Sequence, residues 1–236
     1  MNQKQAYWCR REILSLFGGF AGSLFLGSCT RSRAIVETTL MSSDEMRSPN
    51  VLKDSNNSEG LPTVDLPDSI TAILQDDQDP DAVFTALMPA VVDILQCDRC
   101  FLFIRDPQRQ RTRITHGYSR ASRWPTMVQS DWSQESPDLN ANGPLTLSAY
   151  ASPEAHFIED IETAPPGTLD INLERSVFGH RALVHAPIYY DAEFYGVLEP
   201  CVFEAPRQWT EGDRTLIQGL QQVLGIWVFR YLQQIA

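Results

Sequence analysis

The chain has 236 residues, of which 30 are Asp or Glu and 19 are Lys or Arg, so its formal net charge at pH 7 is −11. A surface this acidic repels phosphate backbones and anionic lipid headgroups, and direct nucleic-acid binding is therefore not expected. The length fits one ordinary domain with extensions better than two domains, because the composition is uneven along the chain.

Residues 1–28 have the layout of a secretory signal. A positively charged start precedes an apolar stretch at 13–25 that is rich in Gly and Ser and too short for a comfortable membrane span. The tetrapeptide Leu-Gly-Ser-Cys that ends at Cys29 fits a bacterial lipobox, in which Cys29 carries the lipid. The adjacent arginines, Arg10 and Arg11, resemble a twin-arginine export signal. This segment predicts a membrane-anchored lipoprotein on the extracytoplasmic face.

Two alternatives stay open for the N-terminal region. The segment is a plain signal or membrane anchor, or the true start is Met41 or Met46, which predicts a cytoplasmic protein. Residues 29–67 are polar with almost no apolar period, and they cannot bury enough surface to offset the entropy of ordering. They predict a flexible linker ahead of a domain at 68–236.

The first predicted element of the domain is a helix that begins at Pro80. Asp79 is a favourable N-cap, and Pro is favoured at the first helical position. Pro89 lies inside the helical pattern and removes one backbone hydrogen bond, so a kink or a join between two short helices is expected there. The apolar residues fall on one stripe: Val83, Phe84, Leu87, Val91, Ile94 and Leu95.

Two strand pairs are predicted downstream of this helix. Residues 101–105 and 112–118 have strand patterns around a turn at 106–110. Apolar runs at 182–190 and 194–203 flank a short polar break, which is typical of a β-hairpin with a tight connection.

A long helix is predicted after the hairpin. Thr210 and Asp213 have the spacing of a capping box, with Asp in place of Glu. The apolar stripe that follows is wider than one sheet face needs, which predicts helix-to-helix homodimerisation. Its first row is Leu216, Leu220, Val223, Trp227 and Tyr231, and its second row is Ile217, Leu224, Val228 and Leu232.

These motifs together resemble a GAF domain of the cyanobacterial phytochrome-like type. The resemblance implies an α+β fold, with a central antiparallel sheet, the N- and C-terminal helices packed together on one face, and variable loops on the other. It also implies a noncatalytic sensory or protein-interaction domain that binds a small molecule or a protein partner and often pairs through its last helix. The matching segments are the helix-to-strand junction at 96–106, the middle strand at 157–161, the hairpin at 182–203 and the Pro-Arg-Gln-Trp motif at 206–209.

The resemblance places the ligand-binding wall of such domains at 119–143 and 163–178. Trp124 and Trp132 in the first segment are candidate pocket residues, although aromatic residues in an irregular cover more often pin it to the core. His180 and His185 are further candidates: on a strand, His185 shares a face with Leu183, and His180 lies on the other face with Ala182. For each histidine, a ligand contact and a structural strand-end hydrogen bond are both open.

Covalent bilin attachment is not expected. Members of the family that attach a bilin carry a Cys, usually followed by His, on the helix before the hairpin, whereas residues 173–180 contain no Cys. A family His on the hairpin strand would fall at Glu199 or Pro200. The sequence therefore predicts no cofactor and leaves a noncovalent tetrapyrrole carrier as a weak alternative.

Cys97 and Cys100 form a Cys-x-x-Cys pair, which raises a redox protein as the alternative function. A reactive thiol needs exposure and a lowered pKa, whereas Cys97 follows a predicted helix and Cys100 opens an apolar strand, so buried core positions are favoured. In an exported protein a disulfide between them, or with Cys201, becomes more plausible. No second ligand pair completes a metal site.

Motifs for enzymatic chemistry are also missing from the sequence. It contains no Gly-rich phosphate loop, no nucleophile elbow and no supported pair of carboxylates, so no catalytic activity is predicted. Because no further domain follows Ala236 in the sequence, a sensory signal is expected to pass to a protein partner.

Overall fold

The computed structural model describes residues 65–75, 78–136 and 143–236. The predicted signal segment, the lipidation residue Cys29 and the linker up to residue 64 lie outside these ranges. Within them, no helix combines the length and the apolar character that a membrane span requires.

The described residues form a six-stranded antiparallel sheet flanked by helices, so the predicted α+β class is confirmed. The strand order is β3-β2-β1-β6-β5-β4. The strands are β1 (Arg99–Asp106), β2 (Arg111–Ser119), β3 (Ser133–Gln134), β4 (His156–Ile158), β5 (Ala182–Tyr190) and β6 (Glu193–Val202). The helices are α1 (Asp68–Ile73), α2 (Pro80–Leu95), α3 (Gly143–Ala151), α4 (Ile171–Leu173), which continues into a π-helical turn (Glu174–Phe178), and α5 (Glu211–Gln234).

The main core lies between one face of the sheet and the helices α1, α2 and α5. Side chains alternate along β1, so Cys100, Leu102 and Ile104 join this core while Phe101 and Phe103 face the other side. Both apolar rows of α5 are buried in this core, because α2 contacts α5 and covers what the sheet does not. Contacts within one chain therefore account for the width of the stripe. Homodimerisation stays a prediction, but the width of the stripe does not support it.

The ends of the two long helices follow their sequence signals closely. At the start of α5, the Thr210 hydroxyl accepts from the backbone N–H of Asp213, whose carboxylate accepts from the backbone N–H of Thr210. This reciprocal capping box is the predicted one. Asp79 is the N-cap residue of α2, although its side chain makes no capping hydrogen bond. Pro89 does not divide α2, which runs as one helix through it.

The predicted hairpin is present as β5 and β6. Tyr190 pairs with Glu193, so the connection is the two residues Asp191 and Ala192, with φ values of 50° and 61°. Positive φ at both positions is the geometry of a type I′ turn, whose twist matches that of the strands.

Candidate functional site

An apolar cavity lies on the sheet face opposite the long helices. The volume that the centre of a water-sized sphere can reach in it is about 50 Å³, which is smaller than the range of about 300–1,000 Å³ that is usual for ligand sites. The strands supply Phe101, Phe103, Ile114, His185, Val197 and Glu199, and the cover supplies Gly143, Pro144, Leu145 and Thr146 from α3 and Asp170, Leu173, Glu174 and Phe178 from the region of α4 and the π-helical turn.

A buried histidine–carboxylate pair forms part of the cavity floor. Nδ1 of His185 on β5 lies 2.8 Å from Oε2 of Glu199 on β6. The two side chains are only 8% and 9% exposed. The second ring nitrogen of His185, Nε2, is buried and has no hydrogen-bond partner among the described residues. Buried polar atoms are usually paired, so this nitrogen is an exception in a residue that lines the cavity.

Glu199 is held in its ionised form. Burial by itself raises the pKa of this carboxyl group, but the hydrogen bond from His185 and the nearby His180 and Arg99 outweigh burial and place the pKa below its ordinary value. The Glu199 carboxylate therefore accepts the hydrogen bond from Nδ1 of His185.

A second buried pair joins His180 to Glu174 of the π-helical turn. Nε2 of His180 lies 2.5 Å from Oε2 of Glu174. Burial lowers the pKa of His180, but hydrogen bonds with Cys201 and Glu174 outweigh it and raise the pKa to about 10. The sequence-based placement of His180 on the face of Ala182 is wrong, because β5 begins only at Ala182 and the strand alternation does not reach back to His180.

Arg99 is a fully buried cation beside these pairs. Its guanidinium donates to the carbonyl oxygens of Pro125 at 3.1 Å and Phe178 at 3.4 Å. The Phe178 ring, which lines the cavity, stacks nearly parallel to His180 and to Phe101, with centroid distances of 5.5 and 6.1 Å.

The cover is fastened to the sheet by a cluster that sequence reasoning missed. Arg105 on β1 lies 2.6 Å from Glu135 and 2.7 Å from Glu193. The hydroxyl of Tyr150 in α3 donates to Glu135 at 2.9 Å, and the Arg105 guanidinium lies over the Tyr150 ring. These contacts hold α3 in place above the cavity.

The tryptophan candidates lie away from the cavity. Trp124 stacks on Phe203 with a centroid distance of 4.6 Å. Trp132 packs against the main core, with the guanidinium groups of Arg111 and Arg113 over its ring. Both residues pin the segment after β2 to the sheet, which is the structural alternative named for them above.

The cysteine candidates are buried and their thiols are free. Cys97 and Cys100 belong to the main core, whereas Cys201 lies in a cluster on the opposite face of the sheet. Burial, with a smaller effect of Cys201, raises the pKa of the Cys97 thiol to about 12. Burial also raises the pKa of Cys100 well above its ordinary value. Neither thiol has the exposure or the lowered pKa of a redox cysteine.

No set of three or more His, Cys, Asp or Glu side chains in the described ranges is placed to hold a metal ion. Two histidine–carboxylate pairs lie here instead, His185–Glu199 in the cavity floor and His180–Glu174 with Glu174 in the cover. These pairs can form hydrogen bonds and stabilise charge within apolar surroundings.

Solved structures with this architecture include bilin-binding and other domains. A far-red-absorbing protein in its dark state with bound biliverdin IXα is 16% identical, with a TM-score of 0.55, covering 69% of this chain and 97% of its own. The phycoerythrobilin-bound GAF domain of a cyanobacterial phytochrome is 18% identical, with a TM-score of 0.54 and coverages of 70% and 92%. The GAF domain of an Acinetobacter phosphoenolpyruvate-protein phosphotransferase is 15% identical, with a TM-score of 0.52 and coverages of 70% and 91%.

At these identities the likeness concerns the fold alone. No curated protein matches the chain. The family model that matches is that of the GAF domain, a sensory or ligand-binding domain, and it covers residues 79–226. Because this range is more than half of the sequence and coincides with the sheet, its cover and the two long helices, the chain belongs to the GAF domain family.

Proposed function

We propose that this GAF domain is a noncatalytic sensor that binds a small, mainly apolar organic molecule in the cavity over β1 and β6. The observation that supports the proposal is the apolar cavity with the buried His185–Glu199 pair in its floor and Glu174, the partner of the buried His180, in its cover. Ligand sites combine an apolar lining, which supplies affinity, with a few fixed polar groups, which set orientation.

Bilins are the ligands named for two of the similar structures. Among the described residues, those that line this cavity include no cysteine, so a thioether link to a bilin has no support here. They include no arginine or lysine either, while Asp170, Glu174 and Glu199 are acidic. An anionic tetrapyrrole therefore finds no Arg or Lys on the described part of the cavity wall, and an uncharged ligand fits better.

The uncharged dye Nile red tests the proposal directly. We expect saturable binding of one dye molecule to the wild-type protein, seen as a rise in dye fluorescence. Val197→Phe fills the cavity and should weaken binding by about tenfold or more, since the lost space excludes the apolar body of the dye. Val128→Phe, at an exposed position outside the cavity, should leave binding unchanged. The proposal fails if wild-type protein shows no saturable binding.

Biliverdin IXα provides the matched test for the tetrapyrrole alternative. We expect no shifted absorption band when it is added to the purified protein. A band that survives gel filtration but not denaturation would establish noncovalent tetrapyrrole binding instead.

We further propose that the domain is tethered to a membrane through lipid on Cys29. The support is the sequence of residues 1–29, with its basic start, short apolar stretch and lipobox. Wild-type protein should fractionate with membranes and incorporate labelled fatty acid, whereas Cys29→Ala should do neither. Recovery of the wild-type protein in the soluble fraction would refute the tether and leave the cavity proposal standing.

A further inference from the structure

The cavity is small for the ligand that the proposed function needs. The centre of a water-sized sphere reaches about 50 Å³ of it, whereas ligand sites usually offer about 300–1,000 Å³. Its floor consists of strands that pair with their neighbours in the sheet. Its cover consists of α3 and the segment 168–178, which contains α4 and the π-helical turn. Room for a ligand therefore has to come from a movement of the cover.

α3 is the firmly fastened half of the cover. It is held by the Arg105 cluster described above. In addition, the Tyr189 hydroxyl on β5 donates to the carbonyl oxygen of Ala149 at 2.6 Å, and the Ser148 hydroxyl lies 2.6 Å from Nε2 of His156 on β4. Every residue of α3 except the last is at least partly buried. A movement of α3 would break several of these bonds at once.

The segment 168–178, which we call the lid segment, is held far more loosely. Two of its eleven residues are buried and four are exposed. Its hydrogen bond to a strand residue, from Arg99 to the carbonyl oxygen of Phe178, is 3.4 Å long, beyond the usual range of about 2.7–3.2 Å. A surface ion pair of Arg175 with Glu162 ties it to the loop before it, but exposed pairs contribute little. Segments with few buried contacts open locally at low free energy.

Two glycines, Gly167 and Gly179, bracket the lid segment. Their φ values are 83° and 70°, in the left-handed region that glycine adopts freely and other residues avoid. Both are exposed, and a Cβ atom at either would meet no described atom beyond its chain neighbours within 4 Å, so the backbone has room to rotate there. Hinges are short connections of this kind, which absorb large changes of φ and ψ. The turn just before Gly179 is π-helical, a rare geometry that often marks functional sites.

A buried ion pair fastens the lid segment beside β5. Glu174, which lines the cavity, lies 2.5 Å from the protonated ring of His180, the residue just after the second glycine. The two side chains are 8% and 0% exposed. Cys201 and Glu199 on β6 are the other titratable groups near His180. An outward swing would separate Glu174 from His180, but it would also admit water to both, so the pair holds the segment closed without making the closure permanent.

We infer that residues 168–178 form a lid, which swings outward at Gly167 and Gly179 to admit the ligand and which the Glu174–His180 pair holds closed. The inference rests on the proposed function for its ligand, whereas the lid itself is measurable without one. The lid contains Asp170, Leu173, Glu174 and Phe178 of the cavity lining, so its movement enlarges the cavity directly.

Hydrogen exchange of the wild-type protein tests the lid without any ligand. The backbone N–H groups of Glu174 and Gly179 are hydrogen-bonded to the carbonyl oxygens of Asp170 and Glu174, within the moving segment and its hinge. We expect both to be protected about tenfold or more weakly than the N–H groups in the last turn of α3, because the lid opens locally. Equal protection of the two halves of the cover would overturn the inference.

Two variants weaken the pair that holds the lid closed. Glu174→Gln keeps the shape of the side chain and removes its charge, and His180→Gln removes the charge on the other side. Each should speed exchange of the lid N–H groups by about tenfold or more, because a hydrogen bond between charged groups is lost. Unchanged exchange in both variants would show that the pair does not hold a lid.

Tyr189→Phe is the matched control on the other half of the cover. It frees α3 from β5 and leaves the lid contacts in place. It should speed exchange in α3 and leave exchange of the lid N–H groups as in the wild type, because opening of the lid does not break the Tyr189 hydrogen bond. Faster lid exchange in Tyr189→Phe, equal to that in Glu174→Gln, would mean that the cover opens as one piece and would refute a separate lid.

The kinetics of Nile red binding show whether the lid is the entrance. The binding rate should level off at high dye concentration, where opening becomes limiting, and the level should rise about tenfold in Glu174→Gln and His180→Gln but not in Tyr189→Phe. Faster entry in Tyr189→Phe alone would place the entrance at α3 and overturn the inference. If Nile red does not bind at all, the proposed function fails, and the exchange comparison decides the lid on its own.

Discussion

The backbone of Gly225 in α5 lies directly against the carbonyl oxygen of Tyr189 in β5. A Cβ atom on Gly225 would overlap this oxygen and approach Cβ of Tyr190 to 3.1 Å. The absence of a side chain at Gly225 therefore sets how closely α5 packs on the sheet.

Replacing Gly225 should separate the helix from the sheet. Gly225→Ala forces the backbone of α5 or β5 to move, and overpacking of this kind costs about 1–3 kcal/mol of unfolding free energy. Gly212→Ala in the first turn of α5 is the control, since its nearest contact would be 3.7 Å from Thr210. Alanine favours a helix by about 0.5–1 kcal/mol over glycine, so this variant should be neutral or more stable. Urea unfolding measures both, and equal stability of the variants would contradict the packing argument.

The Arg105 cluster should matter far more than a surface ion pair. Arg105→Gln leaves the carboxylate of Glu135, which is 11% exposed, without its cation, and breaking a buried pair in this way costs about 3–5 kcal/mol. Arg123→Gln breaks the pair with Glu204 between side chains that are 60% and 74% exposed, where a loss below about 1 kcal/mol is expected.

Hydrogen exchange should show where the Arg105 variant loosens. Amides of α3 should exchange faster in Arg105→Gln, because Tyr150 loses the anchored Glu135 to which it donates. Unchanged protection of α3 would mean that this cluster does not hold the cover.

His180 should make the stability depend on pH. Its pKa rises from 6.5 to about 10 in the folded protein, so its contribution is complete below pH 6.5 and is lost as the pH rises toward 10. The free energy of unfolding should therefore fall between pH 7 and 9, by at most about 1.4 kcal/mol per pH unit. His180→Gln should lack this decline, and His116→Gln, which changes a buried histidine on the helix side of the sheet, should retain it. A flat wild-type profile would show that His180 is not held protonated.

The thiols should be inert in the folded protein. In a variant with Cys9 and Cys29 replaced by Ser, a thiol reagent at pH 8 should label Cys97, Cys100 and Cys201 only after denaturation, because all are buried and Cys97 has a pKa of about 12. Rapid labelling of Cys97 or Cys100 in the native protein would instead favour the redox alternative.

Local signals in the sequence were enough to predict the hairpin, the capping box of α5 and the long helices, because hydrophobic period and cap chemistry act over a few residues. The short helices α1 and α3 escaped this reasoning. α3 opens with Gly-Pro and has almost no amphipathic period, so its position depends on contacts such as that of Tyr150 with Glu135.

The site depends on contacts that sequence spacing does not reveal. His185 and Glu199 lie on neighbouring strands, and His180 meets Glu174 only because the chain leaves the π-helical turn at Gly179 with a φ of 70°. Strand alternation did place His185 correctly on the face of Leu183, opposite the helices. It failed for His180, which precedes the strand.

The two faces of the sheet have different roles. The helix side contains the large core that holds the fold together, while the cavity side contains smaller clusters with a polar floor. Substitutions in the cavity lining therefore touch little of the packing that joins α2 and α5 to the strands. A chain built this way can acquire a new ligand by changing a few cavity residues while its scaffold stays the same.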